Sequence, residues 1–179
     1  MGIQKDSTAT DIKILRQESL TTWDIDTMNM IKILSYEEGF SSTPYQCSEG
    51  YVTVGYGTKL HNLKFQDPTN FPIKVSRGMA EEWLHSEVAI KDMKLRRSSV
   101  SSIYRKLSDD RRAIVLSMAY QMGVRGVLGF NKMWRALKVG DTAIASIEML
   151  DSHWAIQTPE RAERHARVML GEKLADVYK

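Results

Sequence analysis

The spacing of apolar and polar residues divides the first half of the chain into a helix, a β segment and a loop. Residues 27–38 have the period of an amphipathic helix, and Gly39 directly after them is a typical helix stop. Over residues 40–60 the period changes to two, with β-branched and aromatic residues between glycines. This pattern predicts a short antiparallel hairpin or a three-stranded meander. Residues 61–76, which contain two X-Pro pairs, are predicted to form a loop.

A helical period returns after residue 76 and continues towards the end of the chain. Ser76 is a predicted N-cap, and a long helix is expected to run from it to about Lys94. The apolar residues that define its period are Met79, Trp83, Ile90 and Met93. The next segment, "SDDRRAIVLSMAYQMG", is apolar on nearly all sides and is therefore predicted to be a buried central helix.

Three more helices are predicted in the last third of the chain. One opens at "GFN", one covers "VGDTAIASIEMLDSHW", and the last lies in "QTPERAERHARVM". Thr158 is the expected N-cap of the last helix, and Pro159 suits its first position because a missing N–H costs nothing there.

These elements predict an α+β fold that is mostly helical, with a groove between two lobes. Its expected parts are an N-terminal extension over 1–26, a small α+β lobe over 27–75, a linking helix over 76–98 and a helical lobe over 99–179. The extension contains "DIKILRQESLTTW", which is compatible either with a short amphipathic helix or with a mobile segment. No role is predicted for it.

Composition excludes several classes of protein. No apolar run approaches the ~20 residues of a membrane span, and the first residues lack the apolar core of a signal peptide, so we expect synthesis in a cytosol and no stable membrane anchoring. The single cysteine excludes an internal disulfide, and the four histidines lack metal-binding spacing. We therefore expect no metal and no cofactor.

The charge is unevenly distributed between the two halves of the chain. Residues 1–76 carry 7 Lys/Arg and 9 Asp/Glu, a net of −2, whereas residues 77–179 carry 18 and 13, a net of +5. This excess is either an ordinary solvated helical surface or a basic lobe that attracts a polyanion. Nucleic acid is not predicted as a partner, because the basic residues are scattered and no nucleic-acid motif accompanies them.

Three residues around the predicted hairpin are candidates for an active site. Glu38 closes the first helix, where the helix dipole disfavours a carboxylate, Cys47 lies on the following loop, and Thr53 lies on a strand. Singly, each is ordinary: a surface glutamate, a small apolar filler and a strand residue. Together they match the needs of glycosidic bond cleavage, which takes an acid for the leaving oxygen and a second group for water or the developing cation.

Four blocks in a fixed order resemble the T-even phage lysozymes (endolysins), family 24 of the glycoside hydrolases. The blocks are "EG…Y…GYVTVGYG", "AYQMG" with "GF", the tryptophan at 154, and "QTPERAERH", and the resemblance covers residues 28–178. It implies a lysozyme-like α+β fold without a cofactor. It also implies a muramidase that cuts the β-1,4 bond between N-acetylmuramic acid and N-acetylglucosamine in peptidoglycan.

The resemblance implies a role for each matching residue. Glu38 matches the general acid, Thr53 the threonine that helps to hold the attacking water, and Arg161 the arginine that pairs with the catalytic glutamate. Cys47 stands where the family usually has an aspartate, although cysteine occurs there in some members. The substrate cleft maps onto Lys59, Tyr120, Gln121, Met133, Glu148 and Trp154.

Four positions depart from the family pattern. Thr58 stands where the family has a histidine, and Lys59 replaces an apolar residue. Met133 and Glu148 replace small polar residues, so the fine shape of the sugar subsites is expected to differ. Some cleft residues also have ordinary alternative roles, as core groups or as a solvated helix residue: Gln121, Trp154 and Glu148.

The sequence therefore predicts a monomeric endolysin whose partner is the peptidoglycan of the bacterial cell wall. It is expected to accumulate in the host cytoplasm and to reach the wall through a separate permeabilising protein. Two alternatives stay open: an inactivated or tail-associated peptidoglycan-binding lysozyme fold, and a lytic transglycosylase. The retained Thr53 argues against the transglycosylase, which needs no water-handling partner.

Overall fold

The computed structural model describes residues 29–47 and 49–179, so the predicted extension over 1–26 lies outside the described residues. Helix α1 covers residues 29–38 and ends where Gly39 adopts a left-handed φ of 67°, as its stop signal predicted. A three-stranded antiparallel sheet follows in the order β1-β2-β3, which confirms the predicted meander. Its strands are β1 (Ser41–Gln46), β2 (Tyr51–Gly55) and β3 (Thr58–Lys64).

The predicted loop over 61–76 is wrong at its start. Strand β3 continues to Lys64, because Tyr51 at the beginning of β2 pairs with Lys64. The remainder of the segment is irregular apart from a short 3-10 helix at Pro68–Asn70. The Asp67 side chain caps this turn by accepting a hydrogen bond of 2.9 Å from the Thr69 backbone N–H.

Helix α2 (Arg77–Arg96) links the sheet to the helical region. The Ser76 hydroxyl caps it by accepting from the Met79 N–H at 3.2 Å, which confirms the predicted N-cap. Its predicted apolar face is wrong, since Met79, Ile90 and Met93 are 40–49% exposed. The face that packs against β2, β3 and α4 has smaller residues at four-residue spacing: Ala80, Leu84, Val88, Asp92 and Leu95.

Helix α4 (Asp109–Leu128) is the buried centre of the helical region and follows the short α3 (Ser101–Tyr104). Every residue from 113 to 119 is buried, which confirms the predicted central helix. Gly123, the last residue of the predicted segment, breaks the helix with φ 77° and ψ 159°, and a second helical stretch follows as far as Leu128.

Five helices complete the described fold: α5 (Asn131–Lys138), α6 (Thr142–Leu150), α7 (His153–Gln157), α8 (Pro159–Leu170) and α9 (Leu174–Val177). The single helix predicted for "VGDTAIASIEMLDSHW" is two, because the Ser152 hydroxyl starts a new one by accepting from the Ala155 N–H at 3.1 Å. Thr158 is the N-cap residue of α8 as predicted, but its hydroxyl donates to the Trp154 carbonyl at 3.1 Å and makes no capping hydrogen bond to α8.

One continuous hydrophobic core joins α1 to the helical region. Met30, Ile33 and Leu34 of α1 are fully buried and belong to the same cluster as the apolar residues of α4 and α8. This shared core does not mark a boundary between two lobes, so the division at residue 75 stays a prediction. In the described ranges no single helix is long and apolar enough to cross a membrane, although α4 and α5 meet that criterion together as a pair bent by 88°.

Candidate active site

Glu38 lies at the end of α1 and meets a cation that the far end of the chain supplies. Arg161 on α8 donates from Nη1 to Oε1 of Glu38 at 2.6 Å, across a sequence separation of 123 residues. The Glu38 side chain keeps 24% of its surface exposed, whereas that of Arg161 keeps only 6%. The buried cation offsets the unfavourable position of a carboxylate at a helix C-terminus. The pairing that the sequence analysis expected is therefore present as a contact.

The second carboxylate oxygen of Glu38 faces the turn between β2 and β3. A Cβ atom placed on Gly57 lies 3.9 Å from Oε2, and Gly57 has a φ of 85° that side-chain-bearing residues rarely adopt. The turn is anchored to the helical region, because the Tyr120 hydroxyl donates to the Tyr56 carbonyl at 2.7 Å. Glu38 thus has one oxygen held by a cation and one directed towards an open glycine turn.

Arg161 is itself fixed by helix α4. Its Nη2 donates to the hydroxyl of Ser117 at 3.0 Å and lies 3.4 Å from the Ser117 carbonyl oxygen. Its Nε is buried and has no hydrogen-bond partner in the part of the chain that the structure describes. The direction of the guanidinium group therefore depends on the contacts of its two terminal nitrogens.

Glu37 has a structural environment that the sequence analysis missed. Its side chain is only 4% exposed. Arg164 donates to both of its oxygens, at 2.9 and 2.7 Å, and the Tyr178 hydroxyl donates to Oε1 at 2.9 Å. The hydrogen bond to Glu37 raises the pKa of Arg164, and burial, followed by the charge of Glu37, raises the pKa of Tyr178.

His165 is a second residue that the sequence analysis did not single out. It is completely buried between Ser117 and Tyr178, with its Nε2 2.8 Å from the Ser117 hydroxyl and its Nδ1 2.8 Å from the Tyr178 hydroxyl. Burial lowers its pKa well below the usual value, and the positive charges of Arg161 and Arg164 lower it further. A usable signal was its spacing with the apolar residues of α8, since Ala162, Ala166 and Met169 share its buried face.

Cys47 and Thr53 lie on the hairpin that β1 and β2 form. The backbone of Cys47 closes the turn, donating to the Tyr51 carbonyl at 2.9 Å and accepting from the Gly50 N–H at 2.8 Å, and its free thiol is half-buried. Thr53 is only 2% exposed, and its hydroxyl makes a long contact of 3.4 Å with the Tyr45 carbonyl. The roles of both residues stay predictions.

Tyr120, Gln121 and Trp154 lie together beside this network. The Tyr120 side chain is half-buried, and burial, followed by the charges of Glu87 and Glu38, raises the pKa of its hydroxyl. Gln121 is exposed and accepts a hydrogen bond of 2.7 Å from the indole nitrogen of Trp154. Trp154 is only 6% exposed and also borders a cavity, so its core role and its cleft role both stay open.

The remaining cleft residues are spread over different surroundings. Met133 has no exposed surface and belongs to the hydrophobic core, but it also borders the cavity that Glu148 and Trp154 line. Its contact with substrate stays a prediction. Lys59 is exposed, with its Nζ 3.6 Å from Glu49 and 3.6 Å above the centre of the Tyr51 ring.

Glu148 lines a cavity of about 540 Å³ between the end of α4 and helices α5, α6 and α7. The cavity wall is rich in charged side chains, and Lys132 lies 3.6 Å from Glu148 across it. Other charged or aromatic residues in the wall are Phe130, Arg135, Asp151, His153 and Trp154. Among the residues that the structure describes, no group of three or more His, Cys, Asp or Glu side chains is placed to hold a metal ion.

Comparisons with known proteins identify the family. The phage lysozyme family profile matches residues 35–164. Two relatives from Dictyostelium discoideum, probable T4-type lysozymes 1 and 2, are each 27% identical over 150 residues, which is 74% of this chain and 88% of each relative. The pre-baseplate central spike protein Gp5 of Enterobacteria phage T4 is 28% identical over 168 residues, 84% of this chain but only 29% of Gp5.

The family profile covers well over half of the chain, and the matched range contains Glu38, Cys47, Thr53 and Arg161. It also ends directly before His165, so the buried histidine and Tyr178 lie beyond it. Peptidoglycan is the substrate that membership of this family implies. The chain belongs to the phage lysozyme family and is a lysozyme-type glycoside hydrolase.

Proposed function

We propose that the protein hydrolyses the β-1,4 bond between N-acetylmuramic acid and N-acetylglucosamine, with Glu38 as the general acid. The observation that carries this proposal is the asymmetric environment of the Glu38 carboxyl group. Arg161 holds Oε1 at 2.6 Å, while Oε2 faces the Gly57 turn. A general acid needs this combination, since one oxygen fixes the orientation of the group and the other delivers the proton to the leaving oxygen.

The second half of the reaction is assigned to the β1–β2 hairpin. Glu38 approaches the turn at one end of β2, and Cys47 lies at the turn at its other end. We infer attack by water on the face opposite the acid, with inversion of configuration, as the family resemblance implies; this outcome needs space for a water molecule between the two groups.

The charge distribution supports an anionic polymer as the substrate. Residues 77–179 carry a net charge of +5, and Lys132 and Arg135 lie in the wall of the α5–α7 cavity. Peptidoglycan carries carboxylates on its sugars and peptides, which such cations attract over several ångströms. The cavity is large enough for a short peptide branch, and Glu148 offers it a carboxylate.

We further propose that the enzyme acts as a monomer in host cell lysis, from the host cytoplasm and through a separate permeabilising protein. A specific observation favours a second setting, in which the lysozyme is part of a phage tail. The chain is 28% identical over 168 residues to Gp5, which is a pre-baseplate central spike protein. Both settings use the same catalytic groups and differ in how the enzyme reaches the wall.

Turbidity of outer-membrane-permeabilised Gram-negative cells, combined with mass analysis of the released fragments, tests the reaction. We expect clearing and fragments with a reducing-end muramic acid, and we expect Glu38→Gln to give neither. A 1,6-anhydro sugar instead indicates a lytic transglycosylase. No clearing by the folded wild-type protein contradicts the proposal and favours a binding module. The anomeric configuration of the first product, followed by NMR, separates inversion from retention.

A further inference from the structure

A continuous path of hydrogen bonds leads from the cation beside Glu38 to the neighbouring Glu37. It passes through the interior of the helical region, and its central members have almost no exposed surface. Its links, given as distances between polar atoms, are Arg161–Ser117 at 3.0 Å, Ser117–His165 at 2.8 Å, His165–Tyr178 at 2.8 Å and Tyr178–Glu37 at 2.9 Å. Glu37 and Glu38 are adjacent in sequence, so the path connects two neighbouring side chains through helices α8 and α4 and through Tyr178 after α9.

The end at Glu37 determines which nitrogen of His165 carries a proton. An ionised carboxylate only accepts hydrogen bonds, so the single proton of the Tyr178 hydroxyl is directed to Glu37. The Tyr178 oxygen must then accept at its contact with Nδ1 of His165. The opposite arrangement leaves the Tyr178 oxygen 2.9 Å from a carboxylate oxygen with no proton between them, which is repulsive. Nδ1 of His165 is therefore the protonated nitrogen.

The end at Arg161 determines the state of the other nitrogen. A guanidinium group only donates, so the Ser117 oxygen accepts from Arg161 and its proton is free to point to Nε2 of His165. A proton on Nε2 would make His165 a cation beside two buried arginines, Arg161 and Arg164. Burial and these two charges lower its pKa, in agreement with a neutral ring. The edge of the Trp154 ring, 5.7 Å away, is the apolar neighbour of the imidazole.

We propose that His165, as the neutral Nδ1–H tautomer, is a positioning residue for the hydrolytic reaction. It fixes the Ser117 hydroxyl, and that hydroxyl holds Nη2 of Arg161 so that Nη1 points at Glu38. The buried Nε of Arg161 has no partner, so the guanidinium has few other contacts to set its direction. This inference rests on the proposed role of Glu38 as the general acid.

The first test is independent of activity. Long-range ¹H–¹⁵N correlation spectra of the intact protein report the protonation of each imidazole nitrogen. We expect His165 to show a protonated Nδ1 and an unprotonated Nε2 from pH 8 down to pH 5, with a slowly exchanging proton. The Nε2–H tautomer, or a ring that becomes charged within this range, overturns the inference.

The second test measures the pH–rate profile of wall hydrolysis in His165→Leu and in Ser117→Ala, the latter a small change that cuts the same path if the leucine variant does not fold. We expect activity to fall about three- to tenfold, the effect of part of one charge-assisted hydrogen bond. The alkaline limb should also move to higher pH, because a carboxyl group keeps its proton to higher pH when a neighbouring cation is held less firmly. Ser146→Ala is the matched control.

Ser146 is a suitable control because its hydroxyl also makes a buried hydrogen bond to α8, to the Ala166 carbonyl at 2.9 Å, but lies outside the path. The Ser146→Ala variant should lose thermal stability without a change in the alkaline limb of the pH–rate profile. If the alkaline limb of the pH–rate profile stays in place in both His165→Leu and Ser117→Ala but moves in Arg161→Ala, the positioning role is overturned and the proposed role of Glu38 stands. A folded wild-type protein without hydrolytic activity overturns the proposed function, and the positioning role falls with it.

Discussion

Arg161 on α8 donates a hydrogen bond of 2.6 Å to Glu38 at the end of α1. The two residues are 123 positions apart, and the contact closes the helical region onto the segment that leads into the sheet. A cation beside an acid has two opposing effects on catalysis. It orients the carboxyl group, and it also favours the ionised form, which has no proton to give. Substitution of Arg161 separates these effects.

Arg161→Ala should lower the rate of wall hydrolysis and move the alkaline limb of the pH–rate profile to higher pH. A carboxyl group that loses a neighbouring cation generally keeps its proton to higher pH, and Glu38 also loses the contact that fixes its direction. Arg161→Lys keeps the charge but cannot contact Glu38 and Ser117 at once, so it should lower the rate with a smaller movement of the limb. An unchanged profile in the alanine variant means that the contact does not affect the reacting carboxyl.

The adjacent glutamates provide a matched pair of substitutions with opposite outcomes. Glu38→Gln should lower activity by roughly 10²–10⁴-fold, because an amide donates no proton to the leaving oxygen, with little change in stability. Glu37→Gln should instead lower the free energy of unfolding by about 3–5 kcal/mol, since it leaves the buried side of Arg164 without its ion pair. Its activity per folded molecule should stay within a few-fold of wild type.

Clearing assays on purified variants, normalised to the folded fraction from circular dichroism, together with urea unfolding, measure both effects. The assignment of the two glutamates is wrong if Glu37→Gln is stable but inactive while Glu38→Gln clears cells normally.

Cys47 is expected to act as an anion that supports the attacking water or the developing cation. An ordinary thiol is mostly protonated at neutral pH, whereas the aspartate usual at this position in the family is ionised. Activity should therefore rise as the pH becomes alkaline, and Cys47→Asp should restore activity at lower pH. Cys47→Ala should lose about 10²-fold or more in activity.

A thiol alkylating agent gives an independent measurement on Cys47, whose half-buried side chain is the only thiol in the chain. It should inactivate the wild type and leave Cys47→Asp unaffected. A Cys47→Ala enzyme that remains active, in a protein indifferent to alkylation, means that the thiol only fills space. Positioning of the water then falls to Thr53.

His165 should make the stability of the protein depend on pH. Its pKa is lowered in the folded state by burial and by Arg161 and Arg164, while Glu37 and Tyr178 complete its polar surroundings. In the unfolded chain the pKa of His165 is about 6.5. Below that pH the unfolded chain therefore binds a proton that the folded protein does not bind. The contribution of the neutral ring to the free energy of unfolding is complete above about pH 6.5. As the pH falls below this value, the contribution decreases by up to about 1.4 kcal/mol per pH unit.

Urea unfolding at intervals between pH 7 and pH 5 measures this slope. His165→Leu should remove it, whatever the variant does to stability at pH 7. The exposed His153 provides the control, and His153→Gln should keep the wild-type slope. If the free energy of unfolding depends equally on pH in wild type and His165→Leu, protonation of the buried ring does not destabilise the folded protein.

Deletion of residues 1–26 should leave hydrolysis intact, because the family profile begins only at residue 35. Clearing activity and melting temperature of the truncated protein measure the outcome. A truncated protein that is folded but inactive means that the extension helps to build the cleft.

The features that could be predicted from the sequence are those that depend on neighbouring residues. The Gly39 stop, the Ser76 cap, the three-stranded meander and the buried central helix all follow from short-range sterics, hydrogen bonding and apolar period. The family resemblance also named Glu38 and Arg161 as partners before any geometry was considered. Such features need no knowledge of which distant elements meet.

The local pattern does not show which face of an element is covered or which polar side chains are paired, because both depend on contacts between residues that are distant in sequence. The predicted apolar face of α2 is partly exposed because the sheet and α4 pack against the neighbouring face, which carries Ala80, Leu84 and Val88. Glu37 and Glu38 are identical and adjacent in sequence, but they face Arg164 and Arg161, which are one helical turn apart on α8. The two glutamates have the same side chain but different partners from the far end of the chain. The partner separates the structural carboxylate from the candidate catalytic one.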